Sequence, residues 1–221
     1  MMKNSNSMAY EACFTFDAMI RHCDIAKRGL DAELKLLEDI MDRDLEGADS
    51  NFEDYYHREI NDFWIETAQT IPRLQWYSQF LISYGFLEKS LNDICFAIQR
   101  ETKSPLGLKD LSGQGISRAR NYLVKVAGIS KVFQSEHWQS IKLLAEVRNV
   151  VAHKDGLVSY EPKNHSSLFY KLSKVELLTL EQEYIDQSEV QIMFDQFYVV
   201  KSIELYRQFI LDLVQELKKQ N

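Results

Sequence analysis

Residues 74–98 have the sequence LQWYSQFLISYGFLEKSLNDICFAI. One stripe runs through this stretch at alternating spacings of three and four residues, which is the period of a helix that packs along a seam. The stripe consists of Leu74, Tyr77, Leu81, Tyr84, Glu88, Leu91, Cys95 and Ile98. The stretch therefore predicts a packed helix, and Glu88 is the one charged residue at a seam position.

A long helical region is predicted upstream of this stretch. An apolar stripe over residues 8–45 is interrupted only by Lys27, and the polar residues 46–50 then break the helix. A second helical stretch covers residues 51–100. It is bent near Pro72, because proline lacks a backbone donor and clashes with the preceding turn. The bend makes it either two helices or one kinked helix.

The next part of the chain predicts shorter helices separated by loops. Residues 102–115 contain one proline and three glycines and predict a loop, which is followed by a short helix over residues 116–126. Ser135 is a suitable N-cap, because its side-chain oxygen can accept a hydrogen bond from the first turn. The helix that it starts is predicted to end at Gly156.

The C-terminal part predicts an irregular arm and a last helix. Residues 157–187 lack a clean helical period, and residues 175–180 predict a short strand or hairpin arm. The last helix is predicted to begin near Ser188, with an apolar stripe that includes Val190 and Met193. Its length suits one wall of a helical bundle.

The composition favours a mainly helical fold. The 221 residues include only three prolines and eight glycines, and 45% of them are apolar, so the chain can bury a sizeable core. We expect an all-α antiparallel four-helix bundle over residues 73–221, with a small irregular or β-hairpin arm before the last helix. Residues 1–72 form a long N-terminal helical extension, and the whole is expected to fold as one compact unit.

The charge is distributed unevenly along the chain. A net charge of −7 argues against a protein that coats nucleic acid without specificity, because such binding depends on positive potential. The segment from Arg100 to Lys131 nevertheless contains seven cations and two acids, for a net charge of +5, so the remainder carries −12. A basic segment therefore lies within an acidic protein.

The sequence predicts a cytoplasmic protein without a cofactor. It shows no export signal and no window with the roughly 18 apolar residues that a membrane-spanning helix needs. The three cysteines, Cys13, Cys23 and Cys95, are far apart and lack partners at metal-ligand spacing. We therefore expect neither disulfides nor a metal site.

The helix that follows Ser135 closes with the run Arg148-Asn149-Val150-Val151-Ala152-His153. Arginine supplies a planar permanent charge suited to phosphate, and histidine can exchange a proton near neutral pH. Such groups can bind and orient a phosphodiester and take the proton from a ribose 2′-hydroxyl without a metal. On an ideal helix Asn149 and His153 share a face, but Arg148 and His153 are roughly 140° apart. The long arginine side chain, fraying of the last helical turn, or a second copy related by a two-fold axis would bring them together, and we favour the composite site of a dimer.

Ordinary structural roles stay open for several of these residues. Arg148 can instead pair with a carboxylate while His153 caps the end of the helix. Glu88 either faces Arg148 or the same cleft, or extends from the seam edge to water. The glycine-rich turn before Arg118 and Arg120 is either a simple turn or a source of backbone amides and two cations for an RNA phosphate.

Residues 78–91, 108–129 and 138–156 together resemble proteins of the HEPN superfamily, which carry an arginine, a polar residue and, after three more residues, a histidine. The resemblance covers residues 73–219 in the order and spacing of the helices. It implies a helical bundle that dimerises, with a site at the dimer cleft. It also implies metal-independent endonucleolytic cleavage of RNA by attack of the 2′-hydroxyl, which leaves a 2′,3′-cyclic phosphate.

The resemblance implies roles for individual residues. Arg148 corresponds to the phosphate-binding arginine, His153 to the proton-transfer group and Asn149 to the polar residue after the arginine. Glu88 corresponds to an acid that many members place on the earlier helix. The basic residues that we expect to bind RNA are Arg118, Arg120, Lys125 and Lys154.

The family also suggests partners and an alternative function. A role as a toxin or defence effector, held in check by an antitoxin or another regulatory protein, is typical of many members. Asp155 stands where the members tied to nucleotidyltransferase partners have a tyrosine, which puts control by modification of that tyrosine in doubt. Other members are not nucleases, so a non-catalytic dimerisation, ligand-binding or regulatory module is the alternative.

Overall fold

A computed structural model of the protein describes residues 3–47, 50–182 and 188–219. Over these ranges the chain is mostly helical, with a small three-stranded antiparallel sheet. The helices are α1 (Lys3–Leu45), α2 (Ser50–Ile65), α3 (Ile71–Thr102), α4 (Gly115–Lys125), α5 (Glu136–Lys154), α6 (Leu168–Leu172) and α7 (Gln196–Lys219). The strands are β1 (Leu157–Ser159), β2 (Leu178–Gln182) and β3 (Glu189–Phe194).

The core forms between the long helices. Helix α1 packs against α3 and α7, and α3 also contacts α4 and α5. Phe16 on α1 and Tyr206 on α7 are fully buried, and their rings lie 6.2 Å apart. The first half of α1 therefore belongs to the same hydrophobic cluster as the later helices. The division of the chain at residue 72 stays a prediction.

Helices α2 and α3 are joined by a π-helical turn, Glu66–Thr70. Thr70 and Ile71, the residues before Pro72, keep helical dihedral angles, so helical backbone continues from α2 through the π-turn into α3. The α-helix is interrupted by the π-turn close to the position where the bend was predicted, next to the residue that lacks a backbone donor. Helix α1 begins at Lys3, earlier than the predicted start at Met8.

Helix α5 starts and ends as the sequence predicts. The Ser135 hydroxyl accepts a hydrogen bond from the backbone N–H of Trp138 at 3.2 Å, which is an N-cap. At the other end, Asp155 and Gly156 have φ angles of 49° and 81°, and the Gly156 N–H donates to the Val150 carbonyl. This left-handed end fixes where the motif helix stops.

The last helix begins at Gln196, so the predicted start near Ser188 is wrong. Val190 and Met193, counted there as part of a helical stripe, lie in β3. Strand β3 is the central strand, paired antiparallel with both β1 and β2, and it is buried on both faces. A short apolar run of this kind fits a buried strand as well as a helix, and only its long-range partners choose between them.

The arm before the last helix contains more structure than predicted. Strand β2 begins at Leu178, so it covers only the second half of the strand predicted over residues 175–180 and extends to Gln182, and β1 adds a third strand directly after α5. Residues 183–187 of the predicted irregular segment lie outside the described residues. The Asp195 carboxylate accepts hydrogen bonds from the N–H groups of Phe197 and Tyr198, which sets the start of α7.

Candidate functional site

A groove with a volume of about 830 Å³ opens between α3, α4 and α5. We call it the α3–α4–α5 groove. Two of the residues predicted to be catalytic, Glu88 and Arg148, both line it, as does Asn149. The sequence expectation that Glu88 and Arg148 face one cleft therefore agrees with the geometry. The polar and charged residues that line the groove are Tyr84, Glu88, Gln114, Ser117, Arg120, Asn121, Gln139, Lys142, Arg148 and Asn149.

The Glu88 carboxylate lies against the first residue of α4. A Cβ atom placed on Gly115 would be only 3.1 Å from Glu88 Oε2, and Gly115 has a φ of 52°. Glycine is therefore required at this position both by the backbone conformation and by the close approach of the carboxylate. The N-terminus of a helix favours a negative charge, so α4 stabilises Glu88 in this place.

Arg148 lies across the groove from α4 and does not have a carboxylate partner in the described part of the chain. Its Nη1 donates a hydrogen bond to Asn149 Oδ1 at 3.0 Å. Its guanidinium carbon lies 5.9 Å from the centre of the Tyr84 ring, at cation–π distance. Most of the donors of the guanidinium thus stay available to a ligand.

Tyr84 lies at the floor of the groove between these two charges. Its side chain is only 5% exposed. Burial and, to a smaller extent, the Glu88 carboxylate raise the pKa of Tyr84 to about 12, and Arg148 opposes the rise. The hydroxyl therefore stays protonated at neutral pH. It can donate a hydrogen bond to an anionic group placed between Glu88 and Arg148.

The groove carries more positive than negative charge. Arg120, Lys142 and Arg148 line it, whereas Glu88 is the one acid among its lining residues in the described ranges. The Arg120 guanidinium lies 5.8 Å from the centre of the Phe133 ring. Such a concave, net-positive surface is suited to phosphate groups.

His153 does not line the groove in a single chain. It lies in the last turn of α5, exposed to solvent, and within residues 3–47, 50–182 and 188–219 it makes neither a hydrogen bond nor an ion pair. His153 lies one turn beyond Asn149, at the C-terminal end of α5 and past the residues of this helix that line the groove. One chain therefore brings together Arg148, Asn149 and Glu88 but leaves His153 outside.

Of the four predicted RNA-binding residues, one lines the groove and three do not. Arg120 lines the groove, but Arg118 turns back, and its Nε donates to the Gly113 carbonyl at 2.9 Å. Residues two apart in a helix point to different sides, which separates this pair. Lys125 and Lys154 are exposed at the ends of α4 and α5, away from the groove lining.

Sequence analysis missed Tyr84 and Lys142 as groove residues. Tyr84 precedes Glu88 by one helical turn, and Lys142 lies seven residues before Asn149, which places each pair on one helix face. Those spacings were a usable signal. Tyr84 was instead assigned to the packing seam, which its burial also supports.

The described residues contain neither a candidate metal site nor a candidate membrane-spanning helix. Across those ranges no three His, Cys, Asp or Glu side chains are grouped closely enough to hold a metal ion. None of the helices in the described part of the chain combines the length and apolar character that crossing a membrane requires.

Comparisons with known proteins give no relatives. No family model matches this sequence. Neither a curated protein nor a solved structure matches it. The resemblance to HEPN proteins therefore rests on the residues and their order along the chain.

Proposed function

We propose that this protein is a metal-independent endoribonuclease of the HEPN type that works as a homodimer. The observation that carries the proposal is Arg148, which lies in a net-positive groove without a carboxylate partner in the described ranges. An arginine held in this way is suited to bind a phosphodiester and the extra charge of its transition state. On this proposal α3, α4, α5 and α7 form the four-helix bundle of the HEPN type, and α1 and α2 form its extension.

The chemistry is divided between Arg148 and His153. Arg148 holds the phosphate, and Asn149, which accepts a hydrogen bond from Arg148, keeps the guanidinium oriented. His153 from a second copy takes the proton from the ribose 2′-hydroxyl or returns one to the leaving 5′-oxygen, a role worth about 10²–10⁴-fold in rate. The products are a 2′,3′-cyclic phosphate and a 5′-hydroxyl.

An exposed side of α3 offers a place for the two-fold partner. Leu74, Ile82 and Phe96 are 50%, 59% and 48% exposed there, and they share this side with Gly85 and with the exposed polar residues Ser78 and Lys89. Helix α5 runs antiparallel to α3, because Arg148 lies beside Tyr84 while Gly156 lies beside Tyr77. The His153 end of α5 therefore lies near the start of α3. On this proposal a second copy packs against this side and brings its His153 towards the groove.

The second candidate function is a non-catalytic binding or regulatory module. The observation that favours it is the position of His153, which lies outside the groove in one chain. Such a module would bind an anionic ligand in the groove and would require no histidine there. It predicts that changes at Arg148 affect binding and that changes at His153 affect nothing.

The test is cleavage of a mixed RNA pool in EDTA by the wild type, Arg148→Ala and His153→Ala. His165→Ala provides a matched control, because His165 is exposed, stacks on Tyr170 and does not line the groove. We expect cyclic-phosphate ends from the wild type and the control, and a loss of at least about 10²-fold in both motif variants. Equal, background-level cleavage by all four proteins would favour the binding module.

Mixing the two inactive variants tests the composite site. If Arg148 and His153 act across the dimer, a mixed dimer of Arg148→Ala and His153→Ala retains one intact site, and random mixing restores about a quarter of the wild-type sites. If both residues act within one chain, mixing restores nothing.

A further inference from the structure

We propose that Glu88 makes the α3–α4–α5 groove selective for guanine, by accepting hydrogen bonds from N1–H and the 2-amino group of the base. The inference rests on the proposed function, because it names the base that the same groove takes from RNA. Glu88 is then a specificity residue of the substrate-binding site rather than a proton-transfer group. It touches the base, while Arg148 holds the phosphate.

A carboxylate in a groove that binds phosphate weakens the binding of the phosphate. Glu88 repels a phosphate that Arg120, Lys142 and Arg148 attract. The charge of Glu88 is not neutralised by an ion pair, since no cation within the described ranges lies at ion-pairing distance from its carboxylate. Glu88 and Arg148 both act on the Tyr84 hydroxyl, yet they do not form an ion pair with each other. A ligand group with hydrogen-bond donors would complement this carboxylate.

The Glu88 carboxylate lies in the wall of the groove, next to the start of α4. Gly115 provides the space for Glu88 Oε2, which would be 3.1 Å from a Cβ at that position. Tyr84 and Gln114 line the groove beside it. The two carboxylate oxygens are therefore placed where they can accept hydrogen bonds from one edge of a base in the groove.

The four bases differ in the hydrogen-bond donors and acceptors along their edges. A carboxylate offers acceptors only, so it matches two adjacent donors. Guanine presents such a pair at N1–H and the 2-amino group. Adenine and cytosine each place an acceptor beside their amino group, and uracil places its N–H between two carbonyls. Of the four bases, guanine alone can give Glu88 two hydrogen bonds without placing an acceptor against it.

The groove is large enough for a nucleotide and carries the remaining contacts. Its volume of about 830 Å³ lies in the range of small-molecule sites. Arg148 and Lys142 line the side formed by α5, where they can bind the phosphate. The amides of Gln114 and Asn121 line the side formed by α4, beside Glu88, where they can bind other polar atoms of the base.

The test is calorimetric titration of the full chain with 3′-GMP, 3′-IMP and 3′-AMP. Inosine lacks only the 2-amino group, so the comparison of GMP with IMP isolates one of the two proposed hydrogen bonds. We expect GMP to bind about fivefold or more tightly than either IMP or AMP. Equal affinities, or no binding of any of the three, overturn the proposal. This comparison uses the wild-type protein and does not depend on the folding of a variant.

Two variants then assign the preference to Glu88. Glu88→Gln should bring the affinities for GMP and AMP to within about twofold, because an amide presents only one acceptor. Glu204→Gln is the matched control, since Glu204 is exposed on α7, and it should keep the wild-type preference. A preference that survives in Glu88→Gln contradicts the assignment.

Binding and cleavage separate this inference from the proposed nuclease. Selective GMP binding without RNA cleavage would remove the nuclease and keep the guanine site. Cleavage without preference for guanosine, together with equal nucleotide affinities, would keep the nuclease and remove the guanine site.

Discussion

Two polar clusters lie along α3, and they differ in how their side chains are paired. Near the start of α3, Arg73 Nη1 forms an ion pair with Asp155 Oδ2 at 2.9 Å, and Gln191 Nε2 donates to the Tyr77 hydroxyl at 2.9 Å. Three turns further along, in the α3–α4–α5 groove, Glu88 forms neither an ion pair nor a hydrogen bond with any described residue. The same helix therefore carries a saturated cluster, in which the polar side chains are paired, and an unsaturated one, in which Glu88 has no partner among the described residues.

The difference indicates what each cluster does. In the first cluster the Tyr77 hydroxyl also donates to the Ile192 carbonyl, and the Gln191 amide donates to the Asp155 carbonyl. These bonds join α3, the end of α5 and the central strand, so the cluster stabilises the fold. Unsatisfied charges in a groove contribute little to folding and stay available to a ligand.

The largest loss of stability is expected from Gly156→Ala in the saturated cluster. An alanine Cβ would overlap the Tyr77 hydroxyl and lie 2.6 Å from Gln191 Nε2, at a φ of 81° that disfavours side chains. The substitution adds backbone strain and breaks buried hydrogen bonds, so we expect the free energy of unfolding to fall by about 3 kcal/mol. Urea denaturation followed by circular dichroism measures it.

Gly29→Ala is the control for this substitution. Gly29 lies within α1, and a Cβ there would meet nothing within 4 Å. Alanine has the higher helix propensity, so this variant should gain about 0.5–1 kcal/mol. A Gly156→Ala protein as stable as the wild type would show that the cluster around Tyr77 does not hold the fold.

A smaller effect is expected from Tyr84 at alkaline pH. Burial and Glu88 raise the pKa of Tyr84 to about 12 in the folded protein, from about 10 in the unfolded chain. As pH rises from 10 to 12 the unfolded chain loses this proton while the folded chain keeps it, so stability falls over that window and not below it. The loss contributed by Tyr84 should approach about 2 kcal/mol at pH 12.

The measurement compares urea unfolding of the wild type and Tyr84→Phe at pH 9, 10 and 11. Burial also raises the pKa of Tyr198 and Tyr206, and their contribution is common to both proteins. The variant should therefore lose less stability with rising pH than the wild type. Parallel pH profiles would mean that folding does not raise the pKa of Tyr84.

The sequence predicted those parts of the fold that depend on neighbours along the chain. The Ser135 cap, the stop at Gly156 and the break before α3 all follow from residues within one or two turns. The start of α7 did not follow, because residues 189–194 become a strand only through pairing with β1 and β2. Long-range pairing of this kind leaves no local period to detect.

The site was predictable to a similar extent. Helical spacing placed Glu88, Arg148 and Asn149 correctly on faces that meet in the groove. It could not show that His153 lies outside the groove or that Arg118 turns back to Gly113, because these depend on how the helices are packed. A contribution from the proposed second copy cannot be deduced from the pattern of one helix or from the structure of one chain.

The smallest effect on stability is expected from Lys142→Ala in the groove. Lys142 is exposed and makes neither an ion pair nor a hydrogen bond with the described residues, so its loss should change the free energy of unfolding by no more than about 0.5 kcal/mol. Arg73→Ala, which removes an ion pair and a contact with the Tyr77 ring at 5.7 Å, should cost about 1 kcal/mol.

The effects of these two variants on RNA binding should have the opposite order to their effects on stability. Lys142→Ala removes a positive charge from the groove, so the slope of log affinity for RNA against log salt concentration should become shallower by about one. Arg73→Ala should leave that slope unchanged, because Arg73 neutralises Asp155 rather than a ligand. If Lys142→Ala unfolded the protein more readily and Arg73→Ala altered RNA binding, the division between the two clusters of α3 would be wrong. The expected result, in which Arg73→Ala affects mainly stability and Lys142→Ala affects mainly RNA binding, would assign stability to the paired charges and recognition to the unpaired ones.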